Sequence, residues 1–280
     1  MKPILPVHKK ILKEILRNLI LTLFMIVVLF PFLWMIFASF KPDQDVFSKE
    51  FHLLPSQWHF ENYMDAWNAA PFGIFFVNSL STAGITVLSQ VITCTLAAYG
   101  FAKVDFKCKK FLFTVFLAAM MIPEEAAIIP NYLLVQRMNL TNTSLGIAFS
   151  SLTSVFGVFL LRQTFMQIPD DLIAAARLDG CGVLQEFIHI AVPTSKSAIT
   201  TVGLLAFLSS WNAYMWPYMI TDANLHRTLQ IGLKYMIKPD MGPQWPMIMA
   251  ASTIILMPVI LLFIFLQKYF VSGMVKSGLK

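Results

Sequence analysis

Ala174-Ala175-Ala176-Arg177-Leu178-Asp179-Gly180 is a small-residue helical turn stopped by glycine; ten residues later Ile190, then Val192-Pro193, close a second, amphipathic segment. Pro169 can open the first helix, with Asp170 and Asp171 in its first turn, where the helix dipole favours acid. Alanine at 174, 175 and 176 continues it with the best helix former. Gly180 is placed to end it, because glycine takes the left-handed cap without strain. Beyond the turn, Leu184, Phe187, Ile188 and Ala191 recur at helical spacing as one apolar face, with Gln185, Glu186 and His189 pointing elsewhere. Pro193 limits the second piece. The result is two short helices at an angle, lying between two strongly apolar segments. Such a hairpin suits a docking surface for another protein. It suits equally an amphipathic connector on a membrane surface.

The rest of the chain is mostly membrane. Of 280 residues 57% are hydrophobic and 13% charged, with a mean hydropathy of +0.68, whereas a soluble domain carries about 25% charged residues. A spanning helix needs about 20 mostly apolar residues, and six stretches qualify: Leu19–Phe40, Phe75–Ala102, Phe111–Leu134, Leu145–Phe165, Ala198–Ile220 and Met247–Tyr269. The first is longer than the ~7–15 apolar residues of a signal peptide and lacks a small-residue cleavage pattern, so it reads as a retained anchor. The expected fold is all-α: one polytopic membrane domain over 1–280, with six transmembrane helices and a cytoplasmic two-helix loop at 169–193.

Orientation follows from the basic residues. With the N-terminus inside, only Lys41, Lys49, Arg137, Arg227, Lys234 and Lys238 of the 21 Lys and Arg residues lie outside. That bias, which runs from Lys2 to Lys280, puts both termini and the hairpin in the cytoplasm of a cell membrane. It also accounts for the net charge of +6 without nucleic acid. Cys94, Cys108 and Cys181 have no ligand-like spacing, so no disulfide framework or metal site is indicated. Two outer loops have length enough for shape: Lys41–Gly73, with Trp58, Tyr63 and Trp67, and Thr221–Trp245, with Pro239, Gly242 and Pro243. Interfacial aromatics and turn residues account for both.

Acidic residues inside spans cost roughly 2.5–3.5 kcal/mol each on insertion scales. At 1.5 Å per residue from Phe111, Glu124 sits about 20 Å into a core of about 30 Å. Pro123 and Pro130 bracket Glu124 and Glu125, so this helix is expected to bend or break there. The two carboxylates suit either a polar pathway wall or an outer-interface position reaching water. Trp211, Asn212, Tyr214, Trp216 and Tyr218 lie at similar depth in the fifth span. Aromatic faces with a few placed polar groups suit sugar-like ligands, and an aromatic belt is the competing reading. An amide in a span is expected to pack inward and find a partner.

The hairpin resembles the cytoplasmic "EAA" motif of ABC-importer permeases: Glu-Ala-Ala, three residues, Gly, nine residues, Ile, one residue, Leu, Pro. Ala175, Ala176, Gly180, Ile190 and Pro193 stand at matching positions, with Val192 for Leu, and Asp179-Gly180 matches the "DG" of the carbohydrate branch. Ala174 departs from the pattern where the family has Glu; Asp171 lies one turn earlier. Asn78-Ser79-Leu80, Ala97-Ala98-Tyr99-Gly100-Phe101-Ala102, Met121-Ile122-Pro123, Phe159-Leu160-Leu161-Arg162-Gln163, Trp211-Asn212 and Gln267-Lys268-Tyr269 also fit in order. Together these are similar to the maltose-type, carbohydrate branch of the binding-protein-dependent permeases. Glu124-Glu125-Ala126-Ala127 spells the motif letters, but Asn131 replaces the glycine and no proline follows at the right distance.

The resemblance implies a prokaryotic permease subunit for a sugar or oligosaccharide, with a glycerol-phosphate-type solute as the nearest alternative. It implies a second, homologous permease subunit, an ATPase dimer on the hairpin, and an extracytoplasmic solute-binding protein on the outer loops. Asp171, Ala175, Ala176, Asp179, Gly180, Ile190 and Pro193 would form the ATPase-coupling surface. No GxxxxGK[ST] phosphate loop occurs in the chain, so no cofactor is expected here and ATP and Mg would sit on the partner. Two other classes compete. A membrane-embedded hydrolase built on Glu124 and Glu125 lacks HExxH and GxSxG motifs. An ion-coupled carrier would show internal repeats and more spans.

Overall fold

The computed structural model describes residues 7–46, 48, 50–238 and 242–277; Lys2, Lys49, Pro239 and Lys280 of the readings above lie outside them. Regular structure among the described residues is helical apart from one antiparallel pair, Ile237–Lys238 with Gly242–Pro243. The chain divides into two compact units, 1–69 with 235–256 and 70–234 with 257–280.

In the first unit, helix α1 (Val7–Ala38) carries the most apolar stretch, and none of its best window is buried within the protein. Such a surface is a liability in water and the normal face of a helix in lipid. Its C-terminal end is tied down by α2 (Glu61–Asn68). Asn62 donates to the carbonyls of Ser39 and Lys41 at 2.9 and 3.0 Å, and Ser39 shares a 2.8 Å hydrogen bond with Tyr63. The Phe40 ring packs against Trp58, Phe60 and Tyr63. These loop aromatics therefore build a folded cap over the helix end.

The second unit is organised on α3 (Phe72–Lys103), whose buried positions include Ser79, Thr82, Ala83, Thr86, Gln90, Cys94 and Ala98. These small and polar residues recur every three or four positions on one face, the pattern that lets helices approach closely in lipid. The next apolar stretch is bent by 92°, as Pro123 and Pro130 lead one to expect. Helix α4 (Lys109–Ala118) gives way to short turns, Ile122 is extended before Pro123, and α5 (Ile128–Arg137) takes Pro130 into its first turn. A second break, of 56°, separates α6 (Ser144–Ala148) and its trailing turn from α7 (Val155–Met166). Thr143 and Ser154 cap the two helices, accepting from Gly146 and Gly157 N–H groups at 3.0 and 3.1 Å. The carbonyls freed at this break are taken by α3: Gln90 donates to Ser151 and Ser89 to Leu152, at 2.8 and 2.7 Å.

Helices α8 (Asp170–Leu178), α9 (Val183–Thr194), α10 (Lys196–Asn212), α11 (Met215–Ile220) and α12 (Trp245–Ser277) complete the chain. The expected fifth span, 198–220, is not one helix. Pro217 cannot bond to the carbonyl of Ala213, so α10 stops at Asn212 and α11 starts afresh. Among the described residues three helices are long and apolar enough to cross a membrane, or up to six if each bent pair is one span; the third such pair joins α9 to α10 at an angle of 80°. A core of Cys94, Ala98, Tyr99, Val158, Leu161 and Phe165 joins α3 and α7, with Val202 from α10 and Ile173 and Ala191 from the hairpin.

Candidate functional site

The hairpin is α8 and α9. Helix α8 ends in a paired cap: the Cys181 N–H donates to Ala176 at 2.9 Å and the Gly180 N–H to Arg177 at 3.0 Å, with Gly180 at φ +84°. A side chain would find room at 180 but not a comfortable backbone. Gln185 accepts from the Gly182 N–H at 2.9 Å and opens α9. Pro193 does not end α9 in front of itself. A π-turn over Phe187–Ala191, closed by the Val192 N–H on Phe187, shifts the register just before the proline, and the helix runs on to Thr194.

That register and one ion pair overturn the expected apolar face. Glu186 does not point away; it is 1% exposed, while Leu184 and Ile188 of the expected apolar face lie open. Arg177 on α8 grips the Glu186 carboxylate with Nε at 2.7 Å and Nη2 at 3.2 Å, and the Tyr99 hydroxyl of α3 donates to it at 3.1 Å. The Arg177 hydrogen bond holds the Glu186 carboxyl below its ordinary pKa, against burial, which pushes it up. A second tie joins the same parts: Lys103 of α3 donates to Asp170 at 2.6 Å and to the Ile168 carbonyl at 2.7 Å. Lys103 holds the Asp170 carboxyl below its ordinary range. Both hairpin helices are thereby fastened to one end of α3.

Of the candidate hairpin residues, Ala176 is buried, Ile190 is half-buried, and Asp171, Ala175, Asp179, Gly180 and Pro193 are exposed. The same two helices expose apolar side chains: Leu178 at 90% exposure, with Leu172, Val183, Leu184 and Ile188. Glu186, Tyr99 and Lys103 were not among the residues expected at the site. The available signal was an opposite-charge pair, Arg177 and Glu186, on the two arms of one hairpin.

Farther along α3 is a cavity of about 580 Å³. Its walls are the α4–α5 break, with Glu124, Glu125 and Asn131, and the α10–α11 break, with Tyr214 and Trp216. Between them lie the hydroxyls of Thr86, Ser150, Ser151, Ser209 and Ser210. Asn212 and Trp211, expected in the same place, are not in its lining: Trp211 is buried with its ring on Phe207 and Phe76, and Asn212 accepts from Gln230 at 3.4 Å. Residues capable of grouping as a metal site are absent among those described.

Apolar helices long enough for several crossings, with a polar cavity and a tethered hairpin in the second unit, fit a multi-pass membrane protein. The chain belongs to the family described as the binding-protein-dependent transport system inner membrane component, which matches residues 91–276. It is 32% identical to the "Probable ABC transporter permease protein YurM" of Bacillus subtilis, over 93% of this chain and 86% of that one. It is 30% identical to the sn-glycerol-3-phosphate transport system permease protein UgpE of Yersinia pestis, covering 94% and 96% of the two chains. It is also 30% identical to the arabinooligosaccharides transport system permease protein AraQ of Halalkalibacterium halodurans, covering 91% and 92%. Its fold is similar to a chain in the crystal structure of a bacterial ABC transporter that imports the acidic polysaccharide alginate, with a TM-score of 0.80 at 24% identity over 96% of this chain and 100% of that one.

Proposed function

We propose that the chain pairs with a second, homologous permease subunit in an ATP-driven importer for a sugar or oligosaccharide, and that a separate ATPase docks on the hairpin at 169–193. The exposed apolar side chains on α8 and α9 carry this reading. Leu178 at 90% exposure contributes almost nothing to the chain's own packing, and exposed apolar surface beside a polar rim is the mark of a protein interface. ATP and Mg are held by the ATPase dimer, and this chain hydrolyses nothing. The charge bias places both termini and the hairpin in the cytoplasm of a prokaryotic cell membrane. The loops at 41–73 and 221–245 then face a solute-binding protein outside. Residues 1–280 act as one permease domain among lipid, without nucleic acid.

The route from docking to transport runs through α3. Closure of the ATPase displaces α8 and α9 as one body, because Arg177 and Glu186 join them. Tyr99 and Lys103 carry the displacement into α3. The same helix supplies Thr86 to the cavity wall, so a shift at one end re-weights the cavity's open and closed states. Asp171, exposed one turn before Ala174, offers the ATPase a carboxylate in place of the missing glutamate. Glu124, Glu125 and Tyr214 line the pathway; Trp211 and Asn212 support the wall behind it. A glycerol-phosphate-type cargo is the second reading, favoured by the similarity to UgpE.

Cys181, half-exposed at the hairpin turn, provides the test. In the assembled complex, a short thiol-directed cross-linker is expected to join Cys181 to an ATPase subunit and not to the solute-binding protein. Capture of the binding protein instead would invert the orientation, and absence of any ATPase adduct would remove the docking assignment.

A further inference from the structure

We infer that the cavity between the α4–α5 and α10–α11 breaks admits neutral or cationic polyhydroxylated solutes and turns anions away, with Glu124 and Glu125 setting the sign. The inference rests on the permease reading and narrows its cargo. Its volume of about 580 Å³ falls in the range of small-molecule sites, roughly 300–1,000 Å³. A neighbouring space of about 460 Å³ shares Ile122, Glu124, Ser150, Ser151 and Ser209 with it. Glu124 therefore stands where the two meet, and a solute longer than one sugar ring would pass along it. Serine and threonine hydroxyls offer both donors and acceptors to sugar hydroxyls, and Tyr214 and Trp216 offer ring faces to the apolar side of a pyranose.

The charge around these spaces is one-sided. Two carboxylates line them, and Lys, Arg and His are absent from their walls among the described residues. The basic groups on this side, Arg227 and Lys234, lie over the Tyr218 ring, which stacks on Tyr214. They are one ring removed from the cavity, and Lys234 is engaged with the Tyr218 hydroxyl at 3.2 Å. In a cleft with low-dielectric walls, uncompensated charge of one sign focuses its field on whatever enters. A phosphate or uronate group within about a Debye length, ~8 Å, is repelled, and a site built for such anions presents Arg, Lys or clustered backbone N–H groups instead. The permeases similar to this chain include one named for glycerol phosphate and one named for arabinooligosaccharides. The cavity charge chooses the neutral class.

The test reads the cavity's sign independently of cargo. Ser209, exposed in both spaces, is replaced by cysteine in a C108S/C181S background, where Cys94 remains buried. Membrane vesicles of the full chain are treated with a trimethylammonium-bearing and a sulfonate-bearing methanethiosulfonate, each rate being divided by its rate with a free thiol. The cationic reagent is expected to be favoured by roughly tenfold or more, and E124Q, E125Q and the double variant to bring the ratio stepwise toward unity. In reconstituted complexes, the double variant is expected to raise uptake of sn-glycerol 3-phosphate relative to a neutral arabinotriose by a few fold. Equal rates for the two reagents, or a ratio that ignores both glutamines, overturns the inference. So does wild-type uptake of the phosphate as readily as the neutral sugar. A cavity that favours the cation in a complex that moves no solute with ATP would instead remove the permease reading and leave the cavity's sign standing.

Discussion

A carboxylate is buried at acceptable cost only when it stays ionised against partners that satisfy it. Glu186 has two: the Arg177 guanidinium and the Tyr99 hydroxyl. Its pKa is lowered from the ordinary 4.5 in the folded protein. The sign follows: the pair stabilises the fold fully above about pH 4.5 and loses that contribution as pH falls through the lower, folded value. Asp170, held low by Lys103, also loses its contribution in acid, so the informative quantity is a difference. Thermal unfolding of the wild-type chain should fall more steeply below pH 4.5 than that of Glu186→Gln, with the two curves converging in acid. Parallel curves would mean that the carboxylate's charge does not hold the hairpin. This residue was hidden from pattern reasoning because helical spacing assigns a glutamate to the wet face. The contacts with Arg177 and Tyr99, brought from two other helices, reverse that. Gly180 was legible for the opposite reason: its left-handed backbone is a local demand that one residue type meets.

At the scale of elements, the bend between α4 and α5 could be anticipated, since Pro123 forces the preceding residue out of the helical region. The stop at Asn212 could not, because Pro217 lies five residues beyond it inside a mostly apolar run. The buried face of α3 is written in its small residues, and Gly157 marks where α7 meets it. An added Cβ there would lie 3.1 Å from Cys94 Sγ and 3.2 Å from Val202 Cγ1. Gly157→Leu must push α7 from both α3 and α10, at a cost of about 1–3 kcal/mol for overpacking alone. The expected result is a lower melting temperature in detergent, with Gly157→Ala falling between the variant and wild type. A leucine variant as stable as wild type would show that the three helices are not in close contact.

For the whole molecule, the all-α, polytopic character and the glycine-stopped hairpin turn were legible from hydropathy and capping residues. The cavity was not, because its walls come from Thr86, Glu124, Ser150 and Tyr214, positions scattered over more than a hundred residues and gathered only by the helix breaks. For the same reason Asn212 and Trp211 were grouped with Tyr214 by sequence proximity, although in α10 it is Ser209 and Ser210, and not these two, that line the cavity. On the proposal above, the hairpin seats an ATPase and transmits its motion through α3. Leu178 isolates that claim, since at 90% exposure it contributes little to the chain's own fold. Surface substitutions of this kind usually change stability by no more than about 0.5 kcal/mol. The decisive measurement is solute-stimulated ATP hydrolysis by the complex purified through Leu178→Asp. The account predicts a permease that melts like wild type but retains little ATPase and loses stimulated hydrolysis by roughly tenfold or more, as expected when a charge enters an apolar interface. Wild-type recovery of ATPase and wild-type stimulation would contradict it.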